Sequence, residues 1–215
     1  MDDQQNAAAE PVAHEGGFRP DFLVTTERGG PHYPEMIEQV RTFMDKVRLA
    51  SPTPEVADEV IAGLRRLNAA LDTVQVDEWN TPSGTRVDLP ARGNITLPPY
   101  EVADAGAHGV RAAVTFRTYH LGGNGAAHGG QVALAFDDLG GMASALYCKG
   151  ICRTAYLKVN YRSITPLNTP LELRTWVDET ESTGRKLFVK GSLHDGDRLC
   201  ADLDALFITL RPGQP

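Results

Sequence analysis

The sequence is short of the residues that would place it in several common classes. Its 215 residues include three cysteines, Cys148, Cys152 and Cys200. Three thiols so spaced give neither a disulfide framework nor a C-x-x-C pair, so reduced thiols are expected. No apolar run approaches the roughly 20 residues of a membrane span, and no membrane partner is expected. Lys and Arg number 21 against 28 Asp and Glu, a net charge of -7. Nucleic acid is therefore not an expected partner, because phosphate binding needs a basic face. The opening stretch MDDQQNAAAEPVAHEGG is acidic and has no apolar h-region. That argues against a secretory signal and makes the cytoplasm the expected location. Several catalytic signatures are missing as well. There is no G-x-S-x-G elbow and no P-loop lysine. GGNGAAHGG places His128 where a dinucleotide loop needs its third glycine, and no βαβ pattern follows. His120 and His128 lack a third ligand nearby, so neither a metal nor any other cofactor is expected.

What is present divides in three. Residues 1–20 are small and polar and read as a tail. Residues 21–95 read as a helical extension and linker. Within them, Met36, Ile37, Val40, Phe43, Met44 and Val47 recur at helical spacing. A second stripe, Val56, Val60, Ile61, Leu64, Leu67 and Leu71, follows Ser/Thr caps and Pro54. The segment EWNTPSGTRVDLPARGN is turn-rich. Residues 96–211 read as two strands, a Gly-rich loop, a helix over about 130–148, and four strands, with short turn signals STG and DGD between the later ones. A single helix among six strands predicts an antiparallel α+β sheet rather than repeated βαβ units.

That helix opens with AAHGGQVALAFDDLGG and is apolar nearly all round, as a buried helix is. A carboxylate inside it costs free energy unless paired. Asp137 and Asp138 are adjacent and point about 100° apart, so one cleft can hold one of them. Solvation or a local hydrogen bond would account for either. The N–H groups of Gly129 and Gly130, at the helix start, are expected to be open to a carbonyl oxygen or oxyanion.

HGGQVALAFDDLGG, TAYLKVNYRSITPL and GRKLFVKGSLHDGDRLCADLDALFITL together resemble the PaaI-like hotdog-fold acyl-CoA thioesterases of the 4-hydroxybenzoyl-CoA thioesterase superfamily, over roughly residues 100–211. The resemblance implies an antiparallel sheet wrapped around one long central helix. It also implies a homodimer or dimer of dimers with sites at the subunit interface, and hydrolysis of acyl-CoA to free acid and CoA, as in fatty acid metabolism. By position it puts the catalytic acid, as base or nucleophile, on Asp137 and the oxyanion donor on Gly129. His128 would shape the site, and Thr154 would position water from the second subunit. Many relatives carry Asn six residues before the histidine. Here that position is Gly122, and Asn124 lies two residues on. Asn124, Gly130 and Gly141 are candidate substrate contacts, as are Arg153, Lys158 and Arg162 for the CoA phosphates. The alternative is a non-catalytic acyl-CoA binding or sensing protein, since one scaffold hosts many functions.

Overall fold

A computed structural model describes residues 24–211. The expected tail, 1–20, lies outside the described residues. The chain forms helices α1 (Tyr33–Leu49) and α2 (Pro54–Asp72), then strands β1 (Tyr100–Gly106) and β2 (Gly109–Thr115). A small hairpin, β3 (Leu121–Gly123) and β4 (Ala126–Ala127), leads into helix α3 (Gly129–Cys148). Strands β5 (Cys152–Tyr161), β6 (Pro170–Val177), β7 (Lys186–Asp195) and β8 (Arg198–Thr209) complete it. Six strands make one antiparallel sheet in the order β1-β2-β6-β7-β8-β5.

The alternation of apolar residues along β2, β6, β7 and β8 turns one face of the sheet toward α3. Val110, Ala112, Val114, Leu171, Leu173, Val189, Leu193, Leu203, Ala205 and Phe207 are buried there against Val132, Ala135, Phe136, Leu139 and Ala143 of the helix. Gly140 allows the close approach, because a Cβ there would meet the Phe207 ring at 3.1 Å. The helix ends at Lys149, whose left-handed conformation (φ 51°) reverses the chain into β5. This is the hotdog arrangement.

The N-terminal segment differs from a plain extension in two ways. First, α1 docks by a polar face as well as by Tyr33 and Ile37. The guanidinium of Arg117 bridges Glu38 at 2.5 Å and Asp45 at 2.6 Å. Arg48 donates to the carbonyl of Leu121 at 2.9 Å, and buried Arg41 donates to the carbonyls of Pro90 and Asn94. Second, the turn-rich stretch before β1 is packed, with Thr85, Arg86 and Ala91 buried. Strand β1 begins only at Tyr100, after Pro98 and Pro99, and the end of the second expected strand is a 3-10 turn at Thr118–His120.

That turn buries His120. Its Nδ1 accepts the Arg117 N–H at 2.8 Å, which leaves the proton on Nε2, and Nε2 has no partner among the described residues. Burial depresses its pKa to about 4 from the ordinary 6.5, with Arg117 and Arg41 acting in the same direction against Asp45. The unfolded chain then takes up a proton that the folded chain refuses, so stability is full above pH 6.5 and declines as pH falls toward 4. Urea unfolding midpoints measured across that window will show the decline. His120→Asn, which keeps an acceptor for the Arg117 N–H, will flatten it.

Candidate active site

The first turn of α3 is shaped by His128. As N-cap it has extended backbone (φ -65°, ψ 132°), and its Nδ1 accepts the Gly130 N–H at 3.0 Å. The expectation of two open glycine donors is therefore corrected. The cap consumes the Gly130 N–H, and the Gly129 N–H alone has no acceptor among the described residues. The Tyr161 hydroxyl donates to the Gly129 carbonyl at 2.7 Å. Its ring packs so closely that a Cβ on residue 129 would lie 3.0 Å from it. Gly122, where relatives carry Asn, has no room for a side chain: a Cβ would sit 2.7 Å from the Cα of His128. Asn124 and Gly125 both have positive φ and form the two-residue turn between β3 and β4, so this Asn-Gly pair serves the hairpin.

Two turns further along α3, Asp137 accepts a hydrogen bond from the Thr154 hydroxyl at 2.7 Å. Both residues belong to one chain, so Thr154 reaches Asp137 within it. A β-bulge makes the contact possible. Thr154 pairs with Phe207 and Tyr156 with Leu206, which leaves Ala155 without a partner. Thr154 and Tyr161 are seven residues apart and would face opposite sides of a regular strand. The extra residue reverses the alternation, and both side chains meet α3. Gly141, one turn beyond Asp137, is partly exposed beside it.

Asp138 has a different fate. Arg92 grips it with two bonds, 3.1 and 2.8 Å, and the Tyr100 hydroxyl donates to the same carboxylate. Burial, then the Asp138 charge, push the Tyr100 phenol far above its usual range, so it remains the donor. Arg92 and Ala91 both sit in left-handed backbone, at φ 54° and 52°, a strain the ion pair helps to offset. Composition alone gives no hint of this partner, because Arg92 lies 46 residues upstream in a turn-rich stretch.

The basic candidates lie elsewhere. Lys158 is in register with Asp204, and Arg162 pairs with Asp202 at 2.5 Å, on the face of β5 turned away from α3. Arg153, next to Thr154, is in register with Ile208 and by alternation faces the same way. The cysteines are free thiols. Cys148 and Cys152 stand 3.3 Å apart, and burial, then the Cys148 contact, push Cys152 up to about 12, so it stays protonated. No group of metal-ligating side chains occurs among the described residues.

Residues 124–201 match the family model described as the thioesterase superfamily. Acyl-coenzyme A thioesterase THEM4 of Rattus norvegicus is 35% identical over 99 residues, which is 45% of this chain and 41% of the relative. THEM4 of Xenopus laevis is 34% identical over 96 residues, 44% of this chain and 42% of the relative. The match thus spans under half the length of either curated relative. A crystal structure of a thioesterase superfamily protein superposes with a TM-score of 0.70 at 24% identity, covering 86% of this chain and 98% of that one. The overlap is wider than residues 96–211, so part of the N-terminal extension shares the fold. Within the matched stretch, Asp137 and Asp138 have different surroundings. One is open and bonded to a hydroxyl, and the other is held by Arg92.

Removing the guanidinium leaves Asp138 without its counterion beneath the sheet. Arg92→Ala will destabilise the fold by about 2–4 kcal/mol in urea unfolding.

Proposed function

We propose that the chain hydrolyses acyl-CoA thioesters and that each site is shared between two copies. One observation carries this reading. The Gly129 N–H and the Asp137–Thr154 pair sit at separate points of one rigid helix. Eight residues at 1.5 Å each place them about 12 Å apart. A carbonyl oxygen bonded to the donor, and a water held by the carboxylate, need both groups within reach of one carbonyl. One chain therefore supplies two half-sites.

The edge strand β5 offers the means of joining them. It is the last strand of the sheet among the described residues, and Arg153, Thr154, Ala155, Tyr156, Lys158 and Tyr161 are exposed. Long bare edges seek a partner strand. Antiparallel pairing of two β5 strands about a two-fold axis at Lys158, with the bulge counted, sets Leu157 against Val159 of the second copy. The same register sets Thr154 against Tyr161 of the second copy. Since Thr154 holds Asp137 and Tyr161 holds Gly129, the carboxylate of one copy then faces the open N–H of the other.

In this site the thioester oxygen accepts the Gly129 N–H at the positive end of α3. Thr154 occupies Oδ1 of Asp137 and leaves Oδ2 for water. Asp137 takes the proton as the water oxygen bonds to the carbonyl carbon. The tetrahedral intermediate collapses, the C–S bond breaks, and CoA leaves as thiolate beside the free acid. His128 serves by holding the first turn in place.

Free-thiol release from short, long and aromatic acyl-CoAs tests the reaction. Asp137→Asn will lower kcat by at least about a hundredfold. Gly129→Pro deletes the donor and will cost about 10²–10³ in kcat beyond Gly129→Ala, which crowds the Tyr161 ring in the same way but keeps the N–H. After subunit exchange, an equal mixture of the Asp137→Asn and Gly129→Pro chains will regain about a quarter of wild-type activity, because half the dimers hold one intact site. Saturable binding with no thiol release by the wild type would instead assign acyl-CoA binding alone.

A further inference from the structure

Helix α2 is well formed and covers no core among the described residues. Thr53 caps it by accepting the Val56 N–H, Pro54 opens it, and none of its 19 residues is buried. Ala57, Val60, Leu64, Leu67 and Leu71 fall at alternating spacings of three and four, the seam of a helix that packs on another helix. Val60 and Leu64 are each 37% exposed, Leu67 58% and Leu71 45%. Helix α1 carries a matching seam, exposed Met36, Phe43 and Val47 with half-buried Val40 between them, beside the face with which it docks. Two such seams on consecutive helices would ordinarily close as a hairpin. Here the linker forbids the reversal. Pro52 and Pro54 bias Ser51 and Thr53 toward extended backbone, and both Ala50 and Thr53 are extended, at ψ 143° and 163°.

We propose that α2 packs in trans, its seam against the α1 seam of a second copy of this chain. Charge selects that occupant and its direction. In antiparallel packing, Glu55, Asp58 and Glu59 at the start of α2 lie beside Lys46 and Arg48 at the end of α1. Arg65 and Arg66 lie beside Glu35, while Glu38 stays with Arg117 of its own chain. The polar face of α2 carries four acids against two arginines, which disfavours an anionic lipid surface. The exposed α2 side chains amount to apolar surface on the order of 400 Å², a patch of the size that marks an interface. A stable dimer buries about 800 Å² per partner.

The test uses the full chain. Phe43→Cys/Val60→Cys protein is prepared with ¹⁴N and with ¹⁵N, mixed, exchanged and oxidised, and the linked peptides are weighed. In parallel, trypsin cleavage at Arg65 and Arg66 is timed for wild type and for Leu64→Glu/Leu71→Glu, whose replaced side chains touch little in their own chain. Expected are mixed-isotope links between residues 43 and 60, and cleavage at least tenfold faster in the glutamate variant. Links within one isotope only would mean closure in cis and overturn the proposal. Equal cleavage of both proteins would mean a free helix, and wild-type protection only with phosphatidylcholine vesicles would mean a lipid partner. Either result also overturns it. The outcome is separable from the hydrolytic reading. An inactive chain with mixed-isotope links fails that reading alone, and an active chain with a free α2 fails this one alone.

Discussion

Helix α3 pressed against the concave face of the sheet sets the distances on which everything else rests. Its rise of about 1.5 Å per residue separates the capped first turn from Asp137 by a length no side-chain motion can close. The packing that holds it is unusually tight at Gly140, where the Phe207 ring takes the space of a side chain. A helix so held works as a ruler. It presents a bare N–H at one point and a hydroxyl-bonded carboxylate at another, and strand β5 touches both through Tyr161 and Thr154.

The two adjacent aspartates show how a buried helix accommodates charge. The sheet side of α3 is filled by Val132, Ala135, Phe136 and Leu139, so both carboxylates must leave by the remaining faces. Asp138 is neutralised by Arg92 and Tyr100, which bind the N-terminal segment to the core at the cost of left-handed backbone in Ala91 and Arg92. Asp137 keeps only the neutral hydroxyl of Thr154.

The N-terminal helices make the opposite use of their apolar stripes. In α1 the buried line runs through Tyr33, Ile37 and Arg41, one step around from the line of greatest hydrophobicity. The seam left open matches the one on α2. Docking by ion pairs to Arg117 explains the choice, since Glu38 and Asp45 can reach that guanidinium only when this face is turned inward.

The sequence by itself determined the elements, because periodicity and turn chemistry are local. The apolar run of α3, the alternation in β6, β7 and β8, the Thr53–Pro54 cap and the Asn124–Gly125 turn are legible residue by residue. HGG and the aspartate nine residues after its histidine were legible as a pattern too. What only the tertiary structure decided is which groups meet. That Gly130 spends its N–H on His128, that Ala155 is a bulge turning Thr154 toward Asp137, and that Arg92 crosses 46 residues to hold Asp138 are facts of long-range packing. No local periodicity encodes them, since each depends on the path of the chain between the partners.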